Sequence, residues 1–286
     1  MSEPFTPSEL LLVRRAYARQ ILTSQGITDA PLESAFSRVA RERFLGDPPW
    51  KTMSASGEYR DTPISDPVAV YQDLVFALDP ARGVNNGSPS LHAHWLHAIG
   101  PRPGERVFHI GAGAGYYTAI LAELVGPDGS VVAVERDPIL AAVARANLEG
   151  YKNVRVVEAD GTALPDAPAD CVYVNFGVER PMAPWVEALH DGGRLVFPLG
   201  FPRETFIAGG GFMITRDETG FAARFLGRAY FIGAEAAAPM APDYRDRMRQ
   251  AFLDGQPSRV RRLIWHRREP QTNPWFAGET WALCEQ

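Results

Sequence analysis

The sequence predicts an α/β fold built on a doubly wound, mostly parallel sheet, with helices before it and a C-terminal extension after it. Strand and helix patterns alternate between residues 105 and 200. The strand patterns are almost continuously apolar, which is typical of parallel strands covered on both faces. A glycine-rich turn joins the first of these strands to the next helix. Ligands of such sheets bind at the carboxyl ends of the strands, so we expect the functional site there.

The composition indicates a globular protein, with 45% apolar and 22% charged residues among 286. The formal net charge of -5 does not favour nucleic acid or an anionic membrane as a partner. No apolar run approaches the roughly 18 residues that span a bilayer, and the first residues lack a secretory pattern. Because the only two cysteines lie in apolar runs, we expect no disulfide framework and a cytoplasmic protein.

Residues 1–100 are predicted to be a helical and loop region. The helix patterns cover residues 6–25, 31–43 and 88–99. Thr6 with Pro7 begins the first helix, and Ser88 with Pro89 begins the third. Between them, residues 46–67 are rich in proline, glycine, serine and aspartate, a composition that predicts a long loop.

Residues 101–233 are predicted to form the sheet core, and residues 234–286 the extension. The core strands are predicted at 106–110, 130–135, 154–158, 170–175 and 193–198, and the core helices at 116–125, 138–148 and 181–190. A hairpin is predicted to turn at 217–220. The extension is predicted to hold a helix near 244–253 and strands at 259–266 and 279–285.

The turn "GAGAG" after the first core strand is the strongest candidate binding loop. Gly111 and Gly113 leave space for a ligand to approach the backbone. Position 116 is tyrosine where the dinucleotide fingerprint has its third glycine. The spacing therefore disfavours a nicotinamide dinucleotide, and a dehydrogenase is the weaker alternative.

Two acids end the strands that follow this loop. Glu135 can accept hydrogen bonds from both hydroxyls of a ribose. Asp160 suits an adenine amino group, and Gly161 leaves room beside it for a flat ring. We expect the loop and both acids to meet at one crevice. The structural alternatives are a surface strand end for Glu135 and a helix cap or turn for Asp160.

Several histidines are candidates for binding roles. His109 stands two residues before the first glycine of the loop, and a neutral imidazole there can accept a hydrogen bond but brings no negative charge. A packed strand histidine is the alternative. His94 and His97 can share a helix face while His92 points elsewhere. Because no nearby acid or cysteine completes a set, we predict no metal site.

A set of motifs between residues 8 and 233 carries a family resemblance. They are, in order, "VARERFLG", "VYQDLVFAL", "GSPSLHA", the glycine loop, "NLEGYKNVRVVEADG" and "DGGRLVFPLG" followed by the hairpin. With this order and spacing the chain resembles the protein-L-isoaspartate O-methyltransferase family. The resemblance implies a Rossmann-like class I methyltransferase core with seven strands and S-adenosylmethionine as cofactor. It also implies methyl transfer to the α-carboxylate of an isoaspartyl residue in a protein or peptide.

The candidate cofactor residues combine the loop, the strand-end acids and their neighbours. They are His109, Gly111, Ala112, Gly113, Glu135, Arg136, Asp160, Gly161 and Asn175. The family commonly has an acid at the position of His109, so we expect binding of the adenosyl part to be better supported than binding of the methionyl part.

The candidate acceptor site is the loop before the third helix. The family places a serine there, near the transferring methyl, and this chain has Gly87 at that position with Ser88 next to it. We assign Ser88 as the candidate catalytic residue and Asn86, Gly87 and Ser88 as substrate-binding residues, with a helix cap as the alternative for Ser88. A carboxylate is already ionised at neutral pH, so the reaction depends on positioning more than on a base.

Two functional alternatives stay open from the sequence. One is a methyltransferase for a different peptide or small-molecule carboxylate, and the other is a homologue that binds the cofactor without catalysis. Both are motivated by Gly87 and His109. The sequence does not predict an oligomeric state.

Overall fold

The computed structural model describes residues 5–54, 58–63, 65–234, 238–266 and 273–285. The chain divides into two compact units. The first comprises residues 1–105 and 112–158, and the second comprises residues 106–111 and 159–286. The predicted division into segments 1–100, 101–233 and 234–286 stays a prediction.

The helices and strands of the described residues follow one another as the sequence patterns indicate, with several additions. The α-helices are α1 Pro7–Ser24, α2 Ala30–Arg38, α3 Pro89–Ile99, α4 Tyr116–Val125, α5 Pro138–Asn147, α6 Ala183–Glu187 and α7 Pro242–Asp254. The strands are β1 Lys51–Met53, β2 Tyr59–Asp61, β3 Ala77–Asp79, β4 Val84–Asn85, β5 Arg106–Ile110, β6 Ser130–Glu135, β7 Val154–Glu158, β8 Ala169–Val174, β9 Leu189–Pro202, β10 Ile207–Asp217, β11 Gly220–Phe231, β12 Arg262–Trp265, β13 Pro274–Ala277 and β14 Trp281–Cys284.

Two helices of the first unit, α1 and α3, begin at their predicted capping residues, Thr6 and Ser88. Thr6 and Glu9 form a reciprocal capping box at the start of α1. Nearly all residues of α4 are buried, as expected for a helix that is apolar around its whole circumference. The second predicted helix is too long, because α2 ends at Arg38 and Val39 is already extended. The chain then enters a short 3-10 turn in which the Arg41 side chain is buried.

The strands of the first unit form three separate pairs. β1 pairs with β2 and β3 with β4, both antiparallel. The prediction of a loop without strands over 46–67 is therefore wrong in part, because strands of three residues carry no periodicity; residues 55–57 and 64 of that loop lie outside the described residues. β6 and β7 are parallel and in register from Val131 opposite Val154 to Glu135 opposite Glu158.

The second unit contains a mixed sheet with the strand order β13-β14-β12-β11-β10-β9-β8-β5. β5, β8 and β9 are parallel, and the strands beyond β9 are antiparallel to their neighbours. The long hairpin β10–β11 turns at Asp217–Gly220 as predicted. Because this unit alone contributes eight strands from the described residues, the predicted count of seven is not confirmed. The additional strands come mainly from the C-terminal extension.

Two boundaries in the second unit differ from the patterns. The helix predicted over 181–190 is confined to α6, since β9 already begins at Leu189. The strand β13 was not predicted at all.

Both cysteines, Cys171 on β8 and Cys284 on β14, are buried thiols. No helix of the described residues combines the length and apolarity needed to span a membrane.

Candidate functional site

In the first unit, Glu135 holds the glycine loop in place. Its Oε2 accepts a hydrogen bond from the backbone N–H of Gly113 at 2.7 Å, and its Oε1 accepts one from Asp137 at 2.9 Å. Burial raises the pKa of Glu135, and these N–H donors oppose that rise. The backbone N–H of Arg136 is a third donor to this carboxylate, whose two oxygens have about four lone pairs, so the carboxylate can still accept a hydrogen bond from a ligand hydroxyl.

The backbone around Glu135 also fixes the other loop residues of this unit. Ala112 donates to the carbonyl of Val134 at 3.0 Å. Gly113 has a φ of 56°, in the left-handed region that favours glycine, and its α-carbon faces the side chain of Leu78. Arg136, the residue after Glu135, is exposed. The loop is thus bound to the end of β6 by one side chain and one backbone hydrogen bond.

The candidate acceptor loop, also in the first unit, is braced by asparagine side chains. Asn85 Oδ1 accepts from the Gly87 N–H at 2.9 Å. Asn86 Oδ1 accepts from the Phe76 N–H at 2.9 Å, while Asn86 Nδ2 is buried and has no hydrogen-bond acceptor among the described residues. Asn86 therefore keeps one donor available, which agrees with its predicted role in substrate binding but does not test it.

Gly87 lies directly against His92. Its φ of 72° is in the left-handed region, and a Cβ built on it would lie 2.3 Å from His92 Nε2. The His92 ring is buried and stacks on Tyr117 with 3.7 Å between ring centroids. The imidazole thus occupies the space that a side chain at position 87 would need. The sequence pattern suggests His92 only as a candidate metal ligand and does not indicate this contact with Gly87.

The Ser88 side chain lies near Asp73, an aspartate that was not predicted as a site residue. Its Oγ lies 3.5 Å from Asp73 Oδ1 and 3.3 Å from Ser90 Oγ. Asp73 Oδ1 also accepts from the Ser90 N–H at 3.0 Å, in the first turn of α3. Ser88 occupies the N-cap position of α3, in keeping with the alternative of a helix cap, but its side chain caps no N–H of that helix. Its hydroxyl is oriented towards Asp73 instead.

Arg41 fixes the segment that carries Asp73. Its side chain is fully buried and donates to the carbonyls of Val70, Gln72 and Leu74, each at 2.7 Å. Three carbonyl acceptors on alternate residues hold residues 70–74 in one conformation. Arg41 lies in the motif "VARERFLG", but its partners are about thirty residues away, so no local sequence pattern indicates this contact.

In the second unit, His109 and Asn175 form a buried pair. The His109 side chain is fully buried, and its Nε2 lies 2.7 Å from Asn175 Nδ2. Burial lowers the pKa of His109 from 6.5 to about 3, so the imidazole is neutral. Asn175 Oδ1 is buried without a hydrogen-bond donor among the described residues. Gly111, at the end of the same segment, packs against the Phe176 ring.

Asp160 and Gly161 play structural roles in the second unit. Asp160 Oδ1 accepts from the Thr162 N–H at 2.9 Å and from the Thr162 hydroxyl at 2.8 Å, so it caps a short 3-10 turn. The Gly161 carbonyl accepts from Trp185 Nε1 at 2.8 Å. A Cβ on Gly161 would lie 2.2 Å from Ile110 Cγ2, so the space expected there for a ligand ring is filled by Ile110. Both hydrogen bonds from Thr162 go to Asp160 Oδ1, so Asp160 Oδ2 takes part in neither.

The loop after β8 is tied to the C-terminal extension within the second unit. Arg245 donates to both carboxylate oxygens of Glu179, at 2.7 and 2.8 Å. Tyr244 Oη donates to the Glu179 carbonyl at 2.6 Å. Arg180 contacts Met240 Sδ at 3.2 Å. Helix α7 therefore fixes the backbone a few residues beyond Asn175.

The histidines of α3 are dispersed. His92 stacks on Tyr117, and His97 Nδ1 pairs with Asp29 at 2.8 Å. Within the part of the chain that the structure describes, no three histidine, cysteine, aspartate or glutamate side chains are grouped as metal ligands.

Comparison with known proteins gives consistent matches. The family model described as "Protein-L-isoaspartate(D-aspartate) O-methyltransferase (PCMT)" matches residues 18–208. A protein-L-isoaspartate O-methyltransferase of Aeropyrum pernix is 36% identical over 206 residues, which cover 70% of each chain.

Two solved structures share the fold. One, a protein-L-isoaspartate O-methyltransferase, is 27% identical, with a TM-score of 0.63 over 83% of this chain and 68% of that chain. The other, from Plasmodium falciparum, was solved in complex with S-adenosyl-L-homocysteine; it is 18% identical, with a TM-score of 0.61 over 78% of this chain and 99% of that chain. The predicted Rossmann-like methyltransferase fold class is confirmed.

Proposed function

The chain belongs to the protein-L-isoaspartate O-methyltransferase family, and from that premise we propose that it esterifies the carboxylate of isoaspartyl residues in proteins or peptides, with S-adenosylmethionine as methyl donor. The match over residues 18–208 is the observation that carries the proposal. When bound, the cofactor supplies a methyl group on a sulfonium, which is a good leaving group. The acceptor carboxylate is already ionised at neutral pH.

In each unit, the candidate cofactor residues include hydrogen-bond acceptors that could bind S-adenosylmethionine. In the first unit, Glu135 keeps acceptor capacity for a ribose hydroxyl while it orders Gly113, and Ala112 and Arg136 flank these two residues. In the second unit, Asn175 Oδ1 is a buried acceptor that lacks a donor. Asp160 retains one carboxylate oxygen for an amino group. His109, Gly111 and Gly161 support the backbone around these residues.

The acceptor loop is proposed to position the substrate carboxylate by hydrogen-bond donors. Asn86 Nδ2 is a buried donor that lacks an acceptor, and the Ser88 hydroxyl is oriented by Asp73. No side chain needs to act as a strong base. The work of the protein is to hold the acceptor oxygen in line with the methyl group and to exclude water; such positioning can lower a barrier by about 7 to 11 kcal/mol.

The test is methyl transfer from labelled S-adenosylmethionine to two peptides of identical composition, one with an isoaspartyl linkage and one with the ordinary aspartyl linkage. We expect base-labile methyl ester on the isoaspartyl peptide alone. The proposed acceptor is wrong if the two peptides are methylated equally or if neither is.

A second acceptor class has one specific observation in its favour. Gly87 has no side chain where the family resemblance implies a serine, and a Cβ there would lie 2.3 Å from His92 Nε2, so the groups that face the acceptor differ. The second candidate is therefore methylation of another carboxylate, in a peptide or a small molecule. Transfer to a panel of such carboxylates, with no transfer to the isoaspartyl peptide, would support it.

We also propose a cytoplasmic location. The support is chemical: Cys171 and Cys284 are kept as buried thiols, which suits a reducing compartment. Fluorescence of a tagged full-length chain in fractionated cells tests this location.

A further inference from the structure

The side-chain amide of Asn175 faces His109 through its Nδ2. His109 is fully buried and neutral, since burial lowers its pKa to about 3. A neutral imidazole has one nitrogen that accepts and one that donates. Asn175 Nδ2 lies 2.7 Å from His109 Nε2 and donates to it. The amide oxygen is thereby directed away from the imidazole.

The amide oxygen of Asn175 is a buried acceptor with no donor among the described residues. A buried polar atom without a partner typically costs about 1 to 3 kcal/mol. Such an atom in a native structure calls for an explanation, and a ligand that supplies the missing donor is one.

The position of Asn175 places this acceptor where ligands of parallel sheets bind. Asn175 directly follows β8, and its N–H donates to the carbonyl of Ile110, the last residue of β5, at 2.8 Å. Asn175 thus lies at the carboxyl ends of two adjacent parallel strands of the second unit. Its backbone is fixed by Ile110 and its side chain by His109.

Within this pair, His109 stands where the family pattern has an acid. The imidazole cannot supply an acceptor to a ligand through Nε2, because that nitrogen already accepts from Asn175. The acceptor atom that this chain offers instead is the amide oxygen of Asn175, the residue that pairs with His109. An ammonium group has three N–H donors and no acceptor, so it matches an isolated oxygen.

We propose that Asn175 Oδ1, oriented by His109, accepts a hydrogen bond from the amino group of the methionyl part of the cofactor. Asn175 is then a cofactor-binding residue and His109 a positioning residue. The inference rests on the proposed function, because it assumes that this cofactor binds. It adds the atom that recognises the methionyl end in a chain without the family's acid.

The test compares two ligands on two forms of the full-length protein by calorimetric titration. S-adenosylhomocysteine carries the amino group, and methylthioadenosine has the same adenosyl part without it. We expect Asn175→Ala to weaken S-adenosylhomocysteine about tenfold, the loss expected for one hydrogen bond to a charged group, and to leave methylthioadenosine within about twofold. Equal weakening of both ligands, or of neither, overturns the proposal.

Two further variants distinguish loss of the hydrogen bond to the cofactor from a general structural effect of the substitution. Asn153 is a matched control, because its amide is satisfied by the carbonyls of Ala122 and Gly126 at 3.0 and 2.8 Å. Asn153→Ala is expected to leave the ratio of the two affinities unchanged. Asn175→Asp keeps an oxygen in place and is expected to retain S-adenosylhomocysteine binding. If Asn175→Asp weakens S-adenosylhomocysteine binding as much as Asn175→Ala does, the proposal is overturned. If the alanine variant does not fold, a loss of about tenfold in Asn175→Asp alone overturns it.

The two hypotheses fail in different ways. If the unmodified protein does not bind S-adenosylhomocysteine, the proposed function itself is wrong and this inference falls with it. If the unmodified protein binds and Asn175→Ala changes both ligands alike, only the role of Asn175 is wrong.

Discussion

Glu135 ends β6 with each carboxylate oxygen bonded to a backbone N–H, which makes it a direct test of the cofactor site. Glu135→Ala removes the acceptor of the Gly113 N–H and the proposed acceptor of the ribose hydroxyls. We expect the binding of S-adenosylhomocysteine to weaken by about 1 to 3 kcal/mol, as measured by calorimetric titration.

Glu158 is the matched control for this substitution. It ends β7 in register with Glu135 on β6, but it is solvent-exposed and pairs only loosely with Arg145, at 3.6 Å. Glu158→Ala is expected to change the affinity by less than about twofold. An equal loss in the two variants would remove Glu135 from the binding site.

His109 gives the protein a pH-dependent stability with a defined sign. Burial lowers its pKa in the folded state to about 3, whereas the unfolded state has the ordinary 6.5. Below pH 6.5 the unfolded chain therefore binds a proton that the folded chain does not, and the free energy of unfolding falls as the pH falls towards 3. We expect this one group to contribute a loss of about 2 kcal/mol between pH 7 and pH 5.

Urea unfolding of His109→Gln at the two pH values measures this contribution. The glutamine cannot titrate, so we expect the pH-dependent loss to shrink by about 2 kcal/mol. His97→Gln is the control, since His97 is an exposed histidine on α3. The prediction for His109 is wrong if its variant keeps the full pH dependence of the unmodified protein.

The sequence predicted those site residues whose partners are close along the chain or follow from strand order. Gly113 and Glu135 are joined as expected, because the loop and the next parallel strand end at the same edge of a sheet. Arg41 and Asp73 were missed, since each contacts residues that only the folded chain brings near. Asp160 was assigned to a ligand, while the structure shows its Oδ1 in a local turn.

Helix α7 and the loop after β8 are joined by the pair of Arg245 and Glu179. Arg245→Met leaves the Glu179 carboxylate, which is mostly buried, without its cation. We expect a loss of about 1 to 3 kcal/mol in the free energy of unfolding, measured by urea denaturation. Arg249→Met on the exposed face of the same helix is expected to change it by less than about 0.5 kcal/mol. Equal effects of the two substitutions would mean that the pair does not fix the loop.

Helix α3 and the loop before it are coupled through Gly87 and His92. Gly87→Ser places a side chain at a φ of 72° and 2.3 Å from His92 Nε2, so we expect a loss of at least about 2 kcal/mol. His92→Ala opens a cavity and also destabilises the fold.

The double variant Gly87→Ser with His92→Ala separates contact from strain. Removal of the imidazole makes room for the serine. The loss of stability in the double variant is therefore expected to be smaller than the sum of the two single losses, by about 1 kcal/mol or more. Urea denaturation of the three variants measures this coupling. Strict additivity would show that the two residues are not in contact in solution.

The longer helices and strands were predictable because their periodicity extends over several residues. β5, β6, β7 and α4 have the predicted bounds. β1–β4 have two or three residues each, which is too short for a period-two pattern to appear. β13 has four residues, which is also short for a period-two pattern to appear.

The extension is integrated into the sheet of the second unit, which the sequence did not reveal. β12 pairs with β11 through Phe221 opposite Leu263. The ring of Phe212 on β10 lies 6.4 Å from that of Phe252 and 5.4 Å from that of Trp275, centroid to centroid. Apolar character alone identifies these residues as core, but it does not say which strands they cover.

Removal of residues 234–286 would therefore expose β10 and leave β11 as an unpaired edge. We expect the truncated chain to bind a hydrophobic dye and to aggregate, because Phe212 is now fully buried against the extension. Trp275→Ala tests the same contact in the full chain, with an expected loss of about 3 to 5 kcal/mol in the free energy of unfolding. Leu253→Ala, at an exposed position of α7, is the control and should change it by less than about 0.5 kcal/mol. A monomeric truncated chain that unfolds cooperatively would show that the extension is a separate domain.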